Sequence, residues 1–483
     1  LLLFLQKKKV FSFLTFQKNI GTEQMGIENF PVQLQAAIQQ GFLAREFENG
    51  LRSRLGFRQV ADREVFPNAI GETLTKTRKS LKAPVTTPMT PTTNTNFDNG
   101  LSPSGWSIEQ YTLSINQYGD TIDLNMVTSG VGIASQFLAN ANTNGIQAMQ
   151  SLDRLARNTL FGGASSGVGG YLGGNTRVVT TLGSAGTSVE VDDIRGFQNV
   201  IVNGQVVSVS ATNGMTVTVG SDVYTLVGTE ADATNMSTAP GGISGQLVFS
   251  SGVSVSDGTA GNAVVASIAP LVIRPNGRLT TAALATASAS GPADTLGIQN
   301  VLAGVAALRR NNVPMIDGAY HCYLDDLQLL SLFRDADFKY LYRGAYGSEE
   351  YRSGNVIELL GVRFIPTTEA PQQASLGAGP VHRALLVGQG ALVEGDCSFV
   401  GHSDIPELDR SLIEIVDGVA MVTREPLDRL RQIIAQSWYW IGGFALPTDV
   451  TANVNVIPTA TNAYLKRGVV IESLGTDALG LIN

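Results

Sequence analysis

At 483 residues the chain allows about three domains and a sizeable core, while only 15% charged residues, against roughly 25% in ordinary soluble proteins, and 53 glycines point to β-rich segments and large protein-covered surfaces. The 41 acidic residues outnumber the 33 basic ones, for a net charge of -8. That excludes a surface built to wrap nucleic acid by counterion release, though not a container that holds it loosely. Two cysteines, Cys322 and Cys397, exclude a disulfide framework and fit a reduced intracellular life.

At the amino end, apolar Leu1 to Leu5 precede Lys7, Lys8 and Lys9. This reverses the order of a secretory signal, no small-residue cleavage site follows, and the run is far too short to span a bilayer. Residues 1–25 therefore read as an uncertain extension, either a processed start or a stretch upstream of Met25, the preferred start. From Pro31 to Leu55, Leu34, Ile38, Phe42, Phe47, Leu51 and Leu55 fall at near-helical spacing among charges of both signs. The pattern is an amphipathic arm that needs a partner surface, and its mixed charge disfavours a membrane.

Gly71 to Lys82 alternates Thr73, Thr75 and Thr77 with Lys76, Arg78 and Lys82, which predicts a strand with one basic face. A Pro, Thr and Asn-rich passage, Ala83 to Ser107, separates it from a strand beginning at Ile108. If the two pair, their connection far exceeds an ordinary hairpin loop. An isolated ribbon is marginal in water, so it needs a support, a neighbouring copy being the obvious one. The plainer alternative is a basic strand within an ordinary sheet.

Tyr111, Leu113 and Ile115 alternate, after which Ile122 and Leu124 continue on the other parity. The switch at Gln117-Tyr118-Gly119 predicts a bulge or sharp twist. A helical pattern follows from Val131 to Phe161, with Ile133, Phe137, Leu138, Met149, Leu152, Leu155, Ala156 and Leu160 on one side and Asp153, Arg154 and Arg157 on the other. Unbroken, it spans roughly 46 Å, and Asn142 to Gly145 is the one place marked for a kink or a fresh cap.

The glycine-rich run Gly162 to Gly174 imitates a phosphate loop but has no Gly-Lys-Ser/Thr, and the dinucleotide fingerprint from Gly167 fails at Leu172. It follows a helix where both motifs follow a strand, and reads as a hinge. Val178 to Pro270 carries Asn-Gly turns at 203–204 and 213–214 and short alternating strands, a compact inserted β domain. Helices then return: Asp294 or Thr295 caps a segment through Leu308 ending in Arg309 and Arg310. Tyr320 to Leu324 reads as a strand, Asp325 and Asp326 as a cap and Leu327 to Phe333 as a helix. Val356 to Leu360 and Val362 to Ile365 read as strands about a turn at Gly361, and Ala384 to Val387 as another strand. Ile433 to Phe444 fits strand or helix by length, its β-branched and aromatic content favouring strand.

Chemistry-bearing constellations are sparse. His321, His382 and His402 lack metal-ligand spacing. Cys397 with His402, the Asp325-Asp326 pair and the Glu349-Glu350 pair have structural readings that outweigh metal binding. His321 beside Cys322 is not a dyad geometry along a strand. A structural, self-associating protein without enzymatic activity or cofactor is expected.

Three blocks together resemble the major capsid proteins of tailed bacteriophages, of the HK97-like fold, and most the podophage-type capsid family. The first runs from the strand at Thr73 through Ala83 to Pro88, Gly100 to Gly105 and Gln117 to Asp120 into the helix ending Leu152 to Arg157. The second comprises Phe338-Lys339-Tyr340, Asn355 to Ile365 and Glu369-Ala370-Pro371; the third is Pro426-Leu427-Asp428 leading into Trp438 to Trp440. The resemblance implies an α+β chain with an amino-terminal arm over 26–69, an extended loop over 70–126 and a spine helix with peripheral domain over 127–174. A β domain inserted at 175–270, an axial domain over 271–430 and a peripheral return strand with carboxyl tail over 431–483 complete it.

The implied function is assembly into hexamers and pentamers that form the icosahedral head, located in the virion and assembled in the bacterial cytoplasm. Implied partners are other copies, packaged double-stranded DNA bound without sequence preference, a portal protein and a scaffolding or decoration protein; no membrane is implied. Intersubunit contacts are expected at Lys76, Arg78, Lys79, Lys82, Tyr111, Leu113, Ile115, Phe42 and Phe47, and hinges at Gly119, Gly162 and Gly163. The basic face is expected to meet an acidic neighbour. Some relatives cross-link a loop lysine to an asparagine on a neighbour, for which Lys76, Lys79 or Lys82 would be placed, though nothing marks a partner. Alternatives are an encapsulin-like compartment and a β-rich tail or surface adhesin.

Overall fold

The computed structural model describes residues 42–52, 56–65, 73–79, 85, 108–125, 133–162, 169–202, 205–285, 293–345, 358–373, 379–396, 413–424, 429–430, 432–449 and 464–475. In chain order these form α1 (Phe42–Arg52), β1 (Ala61–Val65), β2 (Thr73–Lys79), β3 (Ile108–Ser114), β4 (Asn116–Asn125) and α2 (Ile133–Phe161). Strands β5 (Asn175–Arg177), β6 (Gly186–Val191), β7 (Asn199–Val202), β8 (Gln205–Ser208), β9 (Met215–Val219), β10 (Asp222–Ala231), β11 (Gly245–Val253) and β12 (Ala263–Ala266) build the insertion. Then come β13 (Val272–Ile273), α3 (Ile298–Arg310), β14 (Tyr320–Leu324), α4 (Asp326–Arg334), α5 (Ala336–Ala345), β15 (Glu358–Leu359), β16 (Val362–Pro366), β17 (Gln372–Gln373) and β18 (Val381–Val387). The last elements are β19 (Leu392–Asp396), β20 (Ile413–Val416), β21 (Val419–Arg424), β22 (Ile433–Ala445) and β23 (Gly468–Leu474). The chain is α+β and divides into two units, the first within 1–53, 117–149 and 398–440 and the second within 54–116, 150–397 and 441–483.

In the first unit, β21 pairs antiparallel with β20 and with β22, where Ala420 faces Tyr439 and Arg424 faces Ala435. Strand β4 pairs with β22 as well. The Thr121 and Ser437 hydroxyls hydrogen-bond at 2.9 Å, and Tyr118 stacks on Trp440 at a ring separation of 5.9 Å. Helix α1 crosses α2 at two glycines. A Cβ on Gly145 would sit 2.4 Å from the Phe47 carbonyl oxygen, and one on Gly50 would sit 2.5 Å from that of Asn142.

The expected kink at Asn142 to Gly145 is therefore corrected: α2 is one helix of 29 residues, and the patch is a notch for α1. Asn142 Nδ2 donates to the Glu46 carbonyl at 3.1 Å, and buried Asn144 donates to the Gln436 carbonyl at 3.0 Å. Alanine is the better helix former by about 1 kcal/mol, but in Gly145→Ala overlap with the Phe47 backbone outweighs this. A net destabilisation of about 1–3 kcal/mol is expected, read as lost hydrogen-exchange protection in 42–52 with protection of β14 retained.

In the second unit, β1 runs parallel to β19, Ala61 facing Leu392, and β19 pairs antiparallel with the end of β22, Val393 facing Ala445. The ribbon β2–β3 pairs Thr73 with Ser114 through Lys79 with Ile108. The insertion is a six-stranded sheet in the order β5-β12-β9-β10-β11-β6 with a separate β7–β8 hairpin. Its core gathers Val189, Val191, Phe197, Val217, Val219, Leu226, Leu247 and Phe249, each such side chain contributing roughly 1.5–3 kcal/mol when fully buried. A seven-stranded sheet, β13-β23-β18-β14-β16-β15 with β17 on β18, buries Cys322, Leu324, Leu386 and Ile471 against Val301, Val305 and Leu308 of α3. The β15–β16 turn places Leu360 and Gly361 at φ 57° and 78°, as its Gly suggests.

The expected cap of α3 is also corrected. Its N-cap is Gly297, and the Ile298 N–H donates at 2.7 Å to Asp335 Oδ2 from elsewhere in the chain. Asp294 is withdrawn by Arg278, 2.9 Å away, and by Asn276 at 2.6 Å. Asp325, in contrast, caps α4 in a capping box with Gln328.

Candidate assembly surface

The candidate site is the ribbon, whose two faces differ because strand residues alternate. One face carries Leu74, Lys76 and Arg78, with Leu113 opposite Leu74 and Tyr111 opposite Lys76. Thr73, Thr75 and Thr77 with Gln110 and Thr112 form the exposed other face.

The described cations of the basic face, Lys76 and Arg78, turn toward carboxylates of their own chain. Lys76 Nζ lies 2.8 Å from Glu64 Oε2 on β1, and Tyr111 OH donates to Glu64 Oε1 at 3.3 Å. Burial, then the Glu64 carboxylate, pushes the Tyr111 hydroxyl up to about 12. Arg78 donates from Nη1 to Asp449 Oδ1 and from Nη2 to the Gly390 carbonyl, both at 3.2 Å. Leu113, 0% exposed, packs with Ala445, Leu74, Tyr111, Ile115 and Ile441 and lies over Gly395. The apolar side chains share this face with the cations, so burying the first commits the second to carboxylates of the same chain.

Of the residues expected at intersubunit contacts, Leu113 and Phe47 are 0% exposed in the single chain, while Lys76, Arg78, Tyr111 and Ile115 are half-buried. Lys82, Gly163 and the Lys79 and Phe42 side chains lie outside the described residues, as do Cys397, His402, Glu349, Glu350, the Asn203-Gly204 turn, the Pro426-Leu427-Asp428 block and residues 1–41. Gly119 is not at a strand break. The break is at Ile115, and a Cβ on Gly119 would lie 2.6 Å from the Trp438 carbonyl oxygen. Gly162 follows α2 at φ 133°, its carbonyl accepting from Arg195 Nη1 at 3.1 Å.

Asp153 and Arg58 are among the buried charged groups that the sequence pattern did not mark. Asp153, placed there on the solvent side of the helix, is 4% exposed and accepts the Gly56 and Arg58 backbone N–H groups at 3.2 and 3.1 Å. Burial nonetheless raises its carboxyl. Arg58 meets Glu394 of β19 through Nε at 3.1 Å and Nη2 at 2.6 Å. The near-helical spacing of the arm did not reveal either partner, because both lie far along the chain.

Elsewhere, burial pushes the Cys322 thiol up to about 12, away from thiolate chemistry. His382 Nδ1 is 2.6 Å from Asp325 Oδ2. Among the described residues no group of three or more His, Cys, Asp or Glu is placed to hold a metal ion, and no helix is long and apolar enough to cross a membrane.

No protein-family model and no curated protein matches the chain. Among solved structures it is similar to the capsid of Ralstonia phage GP4, at 11% identity and a TM-score of 0.47 over 88% of this chain and 92% of that one. It is also similar to the capsid asymmetric unit of Cyanophage Pam1, at 11% identity and a TM-score of 0.44 over 89% and 92%. A third likeness is to the capsid of Cyanophage P-SCSP1u, at 11% identity and 0.43 over 87% and 88%.

Proposed function

We propose that the chain is a major capsid protein of the HK97-like kind, self-assembling into hexamers and pentamers that close into the icosahedral head of a tailed double-stranded DNA bacteriophage. The observation that carries this reading is the passage from the β2–β3 ribbon through β4 into one unbroken helix of 29 residues, with the 13-residue β22 returning to pair with β4. Loop, spine and return strand follow in the order that the residue blocks imply. The arm over 26–69, loop over 70–126, peripheral domain over 127–174, insertion over 175–270, axial domain over 271–430 and return over 431–483 take the corresponding roles.

The ribbon's inward face fixes the base of the loop on its own subunit, leaving the threonine face for a neighbour. Obligate interfaces of thousands of square ångströms tie fold stability to assembly. With Lys76 and Arg78 matched to Glu64 and Asp449 and a net charge of -8, the wall holds packaged DNA without gripping it. The shell is the wall of the virion, built in the bacterial cytoplasm with a portal and a scaffolding or decoration protein as partners. The subunit acts structurally, not as an enzyme.

Thr75→Glu with Thr77→Glu changes solvent-facing positions, where about 0.5 kcal/mol or less per site is expected in the subunit. Negative-stain microscopy should show shells or capsomers for the parent chain and none for the double variant, whose circular dichroism stays unchanged. Normal shells from the variant would remove the threonine face from the interface. A parent chain that stays a monodisperse small particle would end the capsid reading.

A further inference from the structure

Beside β6, the inserted domain and the seven-stranded sheet flank a small, partly open cavity of about 40 Å³. Its lining sets four guanidinium groups, on Arg177, Arg195, Arg274 and Arg383, against three carboxylates, on Asp192, Asp193 and Glu472. The carboxylates are already engaged. Glu472 Oε1 accepts from Arg383 Nε at 3.0 Å, and Oε2 from Arg274 Nε at 2.7 Å and the Thr281 hydroxyl at 2.9 Å. Asp193 takes Arg195 Nη2 at 2.7 Å, and Asp192 takes the Thr238 N–H at 2.7 Å.

A hydrogen-bond chain crosses the junction: the Thr238 hydroxyl donates to Asp192 at 2.5 Å and accepts from Gln373 Nε2 at 3.0 Å, while Gln373 Oε1 accepts from Arg383 Nη2. What remains unspent is a donor. Arg383 is 3% exposed, and its Nη1 has no hydrogen-bond partner among the described residues. Arg177 Nε makes no hydrogen bond either, lying 3.7 Å from Asp192 Oδ2. A buried charged donor without an acceptor is costly.

We infer that the cavity holds one monoatomic anion of chloride's charge and size, accepting from Arg383 Nη1 and pinning the inserted β domain to the seven-stranded sheet. At ~10–15 Å³ per water-sized occupant, there is room for a single ion with one or two waters. A water alone would accept from Arg383 Nη1 without offsetting its charge. The excess of one positive charge in the lining favours an anion in the same way. All these groups come from one chain, so the site is complete without assembly.

Thermal unfolding of the full chain in sodium chloride, sodium bromide and sodium gluconate at matched ionic strength tests the site. A saturable rise in Tm of about 2 °C or more is expected with either halide and not with gluconate. Crystals grown in sodium bromide should show an anomalous bromine peak beside Arg383. Arg383→Gln should abolish both responses. A Tm that follows ionic strength alone, or a parent-chain cavity that holds water with no anomalous signal, overturns the inference whether or not the variant folds.

Discussion

Replacing Arg58 with methionine is expected to destabilise the subunit by roughly 3–5 kcal/mol, measured as the fall in urea unfolding free energy. Its guanidinium and the Glu394 carboxylate are 3% and 1% exposed, so removing the cation strands a buried charge. Arg63 stands 4.0 Å from the same carboxylate but is itself half exposed, and replaces little of what is lost. Arg58→Met combined with Glu394→Leu should recover most of the loss, because the buried cation and the buried carboxylate are removed together. If Arg58→Met alone costs less than about 1 kcal/mol, the value of an exposed pair, the pair is not buried in solution.

Acid should remove a second contribution of roughly 3 kcal/mol. Burial raises the Glu472 carboxyl, but Arg274, Arg383 and the Thr281 hydroxyl outweigh it and lower it from 4.5 to about 2. Above pH 4.5 Glu472 is ionised in both folded and unfolded chains, and its stabilisation is fully present. As pH falls from 4.5 to about 2, the unfolded chain takes up a proton that the folded chain refuses, so stability falls and the contribution is gone below that range. Unfolding free energies of Glu472→Gln and the parent should converge across that window. A constant difference between pH 6 and pH 2.5 would show that the carboxylate is not held by its arginines.

Patterns with a short period survive translation from sequence into structure. Alternation gave β2, β3 and the insertion, and three-to-four spacing gave α2, because each depends on residues within one element. The aromatic and β-branched run at 433–445 became a strand for the same local reason. What failed was the fate of charged residues. Asp153 follows the helical pattern of a solvent face, yet it serves the Gly56–Arg58 turn 95 or more residues away in sequence. Arg58 and Glu394 are 336 residues apart, and no window contains both. The inward direction of the ribbon's cations was hidden similarly: alternation says that Lys76 and Arg78 share a face, but only Glu64 and Asp449 say which way it looks.

The crossing of α1 over α2 has a consequence for register. Gly50 and Gly145 meet without side chains, the Cα of each within 3.3 Å of the Cβ position built on the other. Such a contact has no rotamer to adjust. Sliding α1 by one residue in either direction would carry Asn49 or Leu51 into a space that holds no side chain, so intermediate settings are closed. The two helices engage at a single position along their length, like a key cut with one tooth, and that position sets which residues of α1 lie over which turn of α2.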